Sequence, residues 1–337
     1  MNSPYFVKPT KADWKDLAEK DLKTDNLDSL LQWQPFEGIN ANAYYDQSDR
    51  PAEEFMSFFS QLKLKTCDLL EPIIIQKDAN ASNQQALEAL NMGATGLLFK
   101  VDQPVNQLES IFKGILINHC AIAFQGSHAD EWSQASSEYF HQLPNRGLVI
   151  NGKKLIPTST NYKSLGLSVA SKFDIVSELN AYLENLEKLH RIYGDQFLNH
   201  LNVSVTLDEK FYQSISVCRA VRWLTYLYAV SSQLPFNASQ LFIHTEIQTA
   251  GNYKKDLLLN TSAGVSAVLG GASSVCFEMN SGKGASFDRR IARNTGNLLR
   301  DESHLLTIMD TVSGSYFIDA LTNLISEKSW NTYISQS

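Results

Sequence analysis

An α/β fold built on a parallel sheet is what this sequence predicts. Three observations lead there: short runs apolar on both faces, helical runs with apolar residues three and four apart, and a steady alternation of the two. Strands buried on both faces belong to sheets that helices cover on each side. Alternating strand and helix means right-handed βαβ crossovers.

The strands read in order as Ile73-Ile74-Ile75, Gly96-Leu97-Leu98-Phe99, Ala121-Ile122-Ala123-Phe124, Val203-Ser204-Val205-Thr206-Leu207, Leu241-Phe242-Ile243 and Ser274-Val275-Cys276-Phe277. The stretch Asn83 to Met92, stopped at Gly93, fits the first crossover helix. A second helix begins after Asp174, whose side chain suits an N-cap. Ile175, Leu179, Leu183, Leu186, Leu189 and Tyr193 form its apolar face, and Gly194 ends it. A third runs from Glu209 to Ser232 on the stripe Phe211, Ile215, Cys218, Val221, Leu224 and Tyr228, with Pro235 barring any continuation. Periodicity does not distinguish a closed barrel from an open doubly wound sheet.

Two regions break the rhythm. Residues 1–50 are polar, with Trp14, Leu17, Leu22 and Trp33 as scattered apolar anchors, and read as an arm or packing segment. Residues 126–164 are rich in Ser, Asn and His and carry little strand signal. A stretch this long has a function or marks a shortened element.

A length of 337 residues suits one large domain or two modest ones. With 43% hydrophobic and 19% charged residues, the chain reads as globular rather than disordered. The balance of 29 basic against 36 acidic residues gives −7, which argues against nonspecific binding to nucleic acid or anionic membrane. Cys67, Cys120, Cys218 and Cys276 lie far apart, form no C-x-x-C pair and lack zinc spacing. The N-terminus has no apolar leader, and no apolar run is long enough to cross a membrane, so a cytoplasmic protein is expected.

Most known chemistries find no motif here. There is no P-loop, no G-x-G-x-x-G after a strand, no H-E-x-x-H and no G-x-S-x-G elbow. Gly282-Lys283-Gly284 is open to two readings: a loop holding a phosphate on its N–H groups, or a solvated turn. The most suggestive constellation is His244-Thr245-Glu246-Ile247-Gln248 at the C-terminal end of a strand. In parallel barrels that edge carries the chemistry. A histidine and a carboxylate two apart on an extended segment point to the same side. The plain alternative is a polar strand end whose side chains bond each other and the next loop. His244, Glu246 and Gln248 are the candidate catalytic residues; no cofactor-binding or metal-ligating residue stands out.

From Phe287 onward the chain reads FDRRIARNTGNLLRDESHLLTIMDTVSGSYFIDALT. Arg289 to Thr295, Glu302 to His304, Asp310, Gly314 to Tyr316 and Leu321-Thr322 fall in the order of an R-R-I-A-R-N-T helix, E-S-H, D-P-x-G-G-S-Y and a helix begun near L-T. This resembles the closing section of the methylmalonyl-CoA mutase barrel. Cys218 to Leu224 is similar to that family's R-A-x-R-x-L-W helix, and Ser266 to Ala272 to its A-A-V-L-G-G-A turn. Trp14, Glu37-Gly38-Ile39 and Tyr44-Tyr45 are similar to its entry arm. Arg289, Arg290 and Arg293 read as ion-pairing residues on a helix whose buried stripe is Phe287, Ile291 and Leu298, and Gly314 as a position where a side chain is resisted.

The resemblance implies a parallel (β/α)8 TIM-type barrel over residues 51–337, behind an N-terminal arm over 1–50. The weak signal at 126–164 points to a shortened fourth unit. No D-x-H-x-x-G occurs, so a cobalamin-binding domain is not expected on this chain.

Departures from the family pattern decide between its subunits. Where the large subunit has G-Y-H-M-Q-E-A-G, with a substrate-facing tyrosine and histidine, Gly166 to Ser171 has neither. Its R-L-S-F-F, which addresses coenzyme A phosphates, falls on His200-Leu201-Asn202-Val203-Ser204, and its V-R-T on Leu258-Leu259-Asn260. Leucine and asparagine do not replace arginine at a phosphate or carboxylate. Gln248-Thr249-Ala250-Gly251 resembles Q-T-A-G, but its spacing from His244 is two residues too long. Thr311 and Ser313 replace a proline and a glycine.

The small subunit therefore fits best. It implies a non-catalytic chain in a heterodimer with a large subunit that holds adenosylcobalamin, the pair interconverting methylmalonyl-CoA and succinyl-CoA. The alternative is the substrate-binding barrel of an acyl-CoA mutase whose cobalamin domain is a separate chain; His244, Glu246 and Gln248 would then face an acyl-CoA. An unrelated lyase or aldolase barrel needs a lysine or a metal cluster at strand ends, and only Lys100 lies near one.

Overall fold

The computed structural model describes residues 9–63, 67–140, 146–156, 162–305 and 310–336. The chain begins with helix α1 (Lys11–Leu22), the short α2 (Leu27–Leu31), a hairpin of β1 (Trp33–Phe36) and β2 (Ile39–Ala41), and α3 (Glu53–Ser60). Thr10 caps α1 reciprocally: Asp13 N donates to its hydroxyl, and the Asp13 carboxylate accepts from Thr10 N.

Of the four apolar anchors expected here, Trp14 stacks on Tyr44 with ring centroids 5.1 Å apart, and Trp33 tilts against Phe317. Leu17 and Leu22 are 59% and 46% exposed and anchor nothing. The segment is held instead by Phe36 and Ile39 in the main core, while α3, which follows it, sets Phe55 and Phe59 against Trp223 of a later helix. In a hairpin and two short helices, single apolar residues show no period to read.

The sheet and its helices come next, in order: β3 (Asp68–Ile74), α4 (Ala79–Asn91), β4 (Gly96–Lys100), α5 (Leu108–Phe112), β5 (Ala121–Gln125), α6 (Ala129–Phe140), β6 (Gly147–Val149), β7 (Tyr162–Lys163) and β8 (Leu165–Ala170). Then come α7 (Ile175–Tyr193), β9 (Leu201–Leu207), α8 (Phe211–Ser231), β10 (Phe242–Ile247), α9 (Tyr253–Leu269), β11 (Ser274–Cys276), α10 (Ala285–Asn297) and α11 (Tyr316–Gln336). The nine strands pair in the order β7-β6-β5-β4-β3-β11-β10-β9-β8, every neighbour parallel. The last strand lies beside the first of the sheet, Val275 opposite Leu69, so the sheet curls into a nearly closed TIM-type barrel.

The ring is interrupted between β7 and β8. There Lys153 and Leu165 form a single antiparallel bridge, and Gly166 N donates to Gly152 O at 2.9 Å. Asn202, wholly buried on the neighbouring β9, spans the rest. Its amide reaches Val149 O, Lys163 O and Leu165 O at 3.0, 3.0 and 2.9 Å. One side chain thus satisfies carbonyls that a ladder would otherwise take.

The fourth unit is shortened as expected: β6 has three residues, and no helix comes between it and β8 among the described residues. The preceding α6 escaped the sequence because Ala129, Trp132, Ser133 and Ser136 make its buried face, too polar for an apolar stripe. Elsewhere local signals hold. Asp174 accepts from Ser177 N at 3.2 Å, and Gly194 turns at φ +65°. α8 is buried nearly all round because α11 and the aromatic side chains of α3 cover the face turned away from the barrel.

α10 differs from expectation. Phe287 and Ile291 are half-buried and Leu298 is 58% exposed, opening a π-helical turn over Leu298–Glu302. The buried face is Ala292, Thr295 and Gly296. A Cβ on Gly296 would come 3.1 Å from Phe277 and 3.2 Å from Leu69, so small residues, not large ones, seat this helix. Inside the barrel, Leu70, Leu98, Ala121, Ala123, Leu148, Ile150 and Cys276 form one buried cluster with Phe242 against it. The axis is packed core rather than pore. All four cysteines are buried and free. No helix of the described residues is long and apolar enough to cross a membrane.

Candidate functional site at the barrel mouth

β10 carries His244 and Glu246 on the side facing the barrel axis. Its register sets His244 opposite Ser274 of β11 and Ser204 of β9, and Glu246 opposite Cys276. The His244 ring is wholly buried, Nδ1 2.8 Å from Ser274 Oγ. Its Nε2 has no hydrogen-bond partner and lies 3.8 Å from Glu246 Oε1.

Glu246 Oε1 accepts from Gln125 Nε2 at 2.7 Å and from Ser204 Oγ at 3.4 Å. Gln125 Oε1 in turn accepts from the Lys100 ammonium, which pairs with Glu278 at 3.2 Å. Two of the three candidate residues therefore come together. Gln248 does not join them: it is exposed beyond the strand, where its backbone N–H donates to Leu207 O at 3.3 Å.

Burial depresses the His244 imidazole to about 3, with the Lys100 charge adding to the effect, so the ring is neutral at physiological pH. Burial raises Glu246, and Glu278 adds to the rise, while Lys100, Ser204 and Gln125 oppose it. Lys100 is raised although burial works against its ammonium; Cys276 as thiolate, Glu278 and Glu246 favour the charge. Burial holds the Cys276 thiol far above its ordinary value, so at neutral pH the two carboxylates are the partners that act on Lys100.

Chemically the mouth is self-contained. The Lys100 ammonium pairs with Glu278 directly and reaches Glu246 through Gln125, so within this cluster of described residues the one cation is already partnered. A cobalamin held through a histidine below the cobalt does not fit these residues either, because His244 is sealed beneath Glu246. Among the described residues no group of three or more His, Cys, Asp or Glu side chains is placed to hold a metal.

Residues 176–336 match the family model described as Methylmalonyl-CoA mutase. The methylmalonyl-CoA mutase small subunit of Porphyromonas gingivalis is 24% identical, over 98% of this chain and 63% of that protein. The chain resembles the methylmalonyl-CoA mutase family, and its small subunit in particular. The probable methylmalonyl-CoA mutase small subunit of Mycobacterium bovis is 28% identical, over 51% of this chain and 30% of its own length. The chain thus spans less than two thirds of these mutase relatives. Among solved structures, dihydropteroate synthase from Xanthomonas albilineans aligns with a TM-score of 0.42 at 10% identity, over 71% of this chain and 94% of that one, a likeness too loose to carry an argument.

Several residues that resemble mutase motifs make internal contacts in this chain. Arg219 pairs with Asp310 and Asp319, and Asp319 also accepts from Gly314 N, where φ is +88°. Arg222, buried and pushed down to about 10 by that burial, donates to Ala238 O, Leu241 O and Gly271 O. Arg293 pairs with Glu71. Asn202 bridges the barrel seam, and Asn260 donates to Glu278 O at 2.9 Å.

Sequence reasoning singled out His244 and Glu246 but missed Gln125, Ser204, Ser274 and Glu278. Gln125 and Glu246 are 121 residues apart in sequence. Gln125 ends β5, Ser204 and Ser274 lie within β9 and at the start of β11, and Glu278 follows β11, so what joins them shows only once the register is known.

Proposed function

We propose that this chain is the barrel of a non-catalytic small subunit, pairing one-to-one with a large methylmalonyl-CoA mutase subunit. In that heterodimer the partner holds adenosylcobalamin, which when bound supplies radical chemistry, and the pair interconverts methylmalonyl-CoA and succinyl-CoA in the cytoplasm. The observation that carries this reading is the self-paired mouth, where Lys100, Gln125, Glu246 and Glu278 satisfy one another. Opening it to an acyl-CoA costs those pairs, and two carboxylates repel the substrate's own. The packed axis supports the same reading. The role left to the barrel is to stabilise its partner.

Light scattering after size exclusion tests this, on the chain alone and mixed with the large subunit. The expected result is a stable one-to-one complex that retains cobalamin only through the partner. A chain that stays separate at micromolar concentration, or that retains cobalamin by itself, overturns the reading.

One observation favours the alternative, an acyl-CoA-binding barrel served by a separate cobalamin protein. His244 Nε2 is buried with no hydrogen-bond partner and points toward Glu246. Direct titration with methylmalonyl-CoA separates the two: the small-subunit reading expects no saturable binding to this chain.

A further inference from the structure

The ladder between β3 and β11 covers three residue pairs, Asp68 to Leu70 opposite Ser274 to Cys276. Beyond it β3 continues to Ile74 beside β4 alone. Above that point the barrel wall parts, and a cavity of about 1110 Å³ fills the gap between β3, the segment after β11 and helix α10. Much of its lining is apolar, with Leu69, Pro72, Ile75, Phe277 and Met279. α10 turns the small residues Ala285, Ala292 and Gly296 toward it, which keeps the space open.

Two arginines one turn apart on α10 face this space, and they differ. Arg293 is committed to Glu71, with Nη2 2.7 Å from Oε1 and both side chains buried. Arg289 comes no closer than 4.0 Å to Glu71, is 26% exposed, and makes no hydrogen bond among the described residues. The carboxylates of the lining are already engaged. Glu71 holds Arg293, Asp288 accepts from Ser281 N at 3.2 Å, Asp102 accepts from Ser127 N at 3.0 Å, and Glu278 pairs with Lys100. Arg289 is therefore the one lining cation here whose fork is open.

We propose that this cleft binds a small organic monocarboxylate, with its carboxylate on the Arg289 guanidinium and its apolar body against Leu69, Phe277 and Met279. A guanidinium fork matches a carboxylate in two-pronged geometry. A site that is concave and mainly apolar, with a few convergent polar groups, is the usual form of a small-molecule pocket. The acids Glu71, Asp102, Glu278 and Asp288 outnumber the bases Lys100, Arg289 and Arg293 in the lining, which disfavours a phosphate dianion and selects a single negative charge.

Calorimetric titration of the full chain at pH 7 tests this, with hexanoate as probe and inorganic phosphate as control. Hexanoate is expected to bind saturably, Arg289→Ala to weaken it about tenfold or more, and phosphate to give no saturation. Arg289→Lys keeps the charge without the fork and should recover only part of the affinity. Ala285→Trp, at an exposed position on the cavity rim, should block hexanoate while leaving Arg289 in place. Absence of saturable hexanoate binding to the parent chain overturns the proposal. Undiminished binding in Arg289→Ala or in Ala285→Trp does so too, and preferential phosphate binding overturns the ligand class.

Discussion

Arg219 of α8 holds Asp319 of α11 at 3.1 Å, across one hundred residues of chain. Its other prong grips Asp310 at 3.0 and 2.9 Å, and its plane lies 3.9 Å from the centroid of Phe59 on α3. One buried guanidinium thus ties the N-terminal segment, a barrel helix and the C-terminal helix together. Burial raises Asp319 and the Arg219 charge opposes that rise, as expected of a carboxylate that depends on its partner. Replacing Arg219 by Met leaves two carboxylates without compensation and should cost about 3–5 kcal/mol. Urea denaturation measures it; a loss below about 1 kcal/mol would mean that the aromatic packing alone holds these elements.

Asn202→Leu keeps the volume of the barrel seam but removes the donor that three carbonyls share. The expected loss is about 1–3 kcal/mol. Hydrogen exchange should accelerate in β6 and β8 and remain unchanged in β4 and β10. Uniform acceleration across all strands would show that Asn202 supports the whole barrel rather than the seam.

The depressed His244 sets a pH dependence with a definite sign. Between its folded value of about 3 and the ordinary 6.5, the unfolded chain binds a proton that the folded chain does not. Its contribution is therefore fully present above about pH 6.5 and is lost as pH falls toward 3, by about 1.4 kcal/mol per pH unit. Glu246, raised by burial, contributes oppositely: its share is full below the ordinary glutamate value and is lost as pH rises through its folded value. Comparing the parent chain with His244→Asn isolates the histidine. The variant should gain on the parent as pH drops below 6.5, and parallel stability curves would remove His244 from the account.

In a reconstituted complex with the large subunit, the triple variant H244N/E246Q/Q248N on this chain should leave turnover within about twofold of the parent, a difference of about 0.4 kcal/mol in barrier. Loss of activity with the complex still assembled would favour the acyl-CoA-binding alternative.

Much of the fold was legible because it is local. Asp174 and Gly194 bracket α7, and the apolar runs mark β4, β5, β9 and β11, since caps and periodicity act over a few residues. β3 begins five residues earlier than its apolar run because Asp68 and Glu71 are polar yet buried, paired with Arg146 and Arg293. Partners so distant leave no local trace. α6 and α10 were missed or misread for a related reason: apart from Trp132, their buried faces are made by small or hydroxyl residues, which leave no apolar stripe to read.

By itself the sequence determined an alternating parallel α/β chain, the family likeness, and the placing of His244 and Glu246 on one side of a strand, because spacing and motif order are properties of neighbouring residues. Only the tertiary structure decided that the sheet curls into a nearly closed barrel with Asn202 bridging its seam. It also decided that Gln248 stands apart, and that Lys100, Gln125 and Glu278 pair across the mouth. Those outcomes depend on which strand ends meet around the axis, and register between distant strands is set by the packing of the whole sheet.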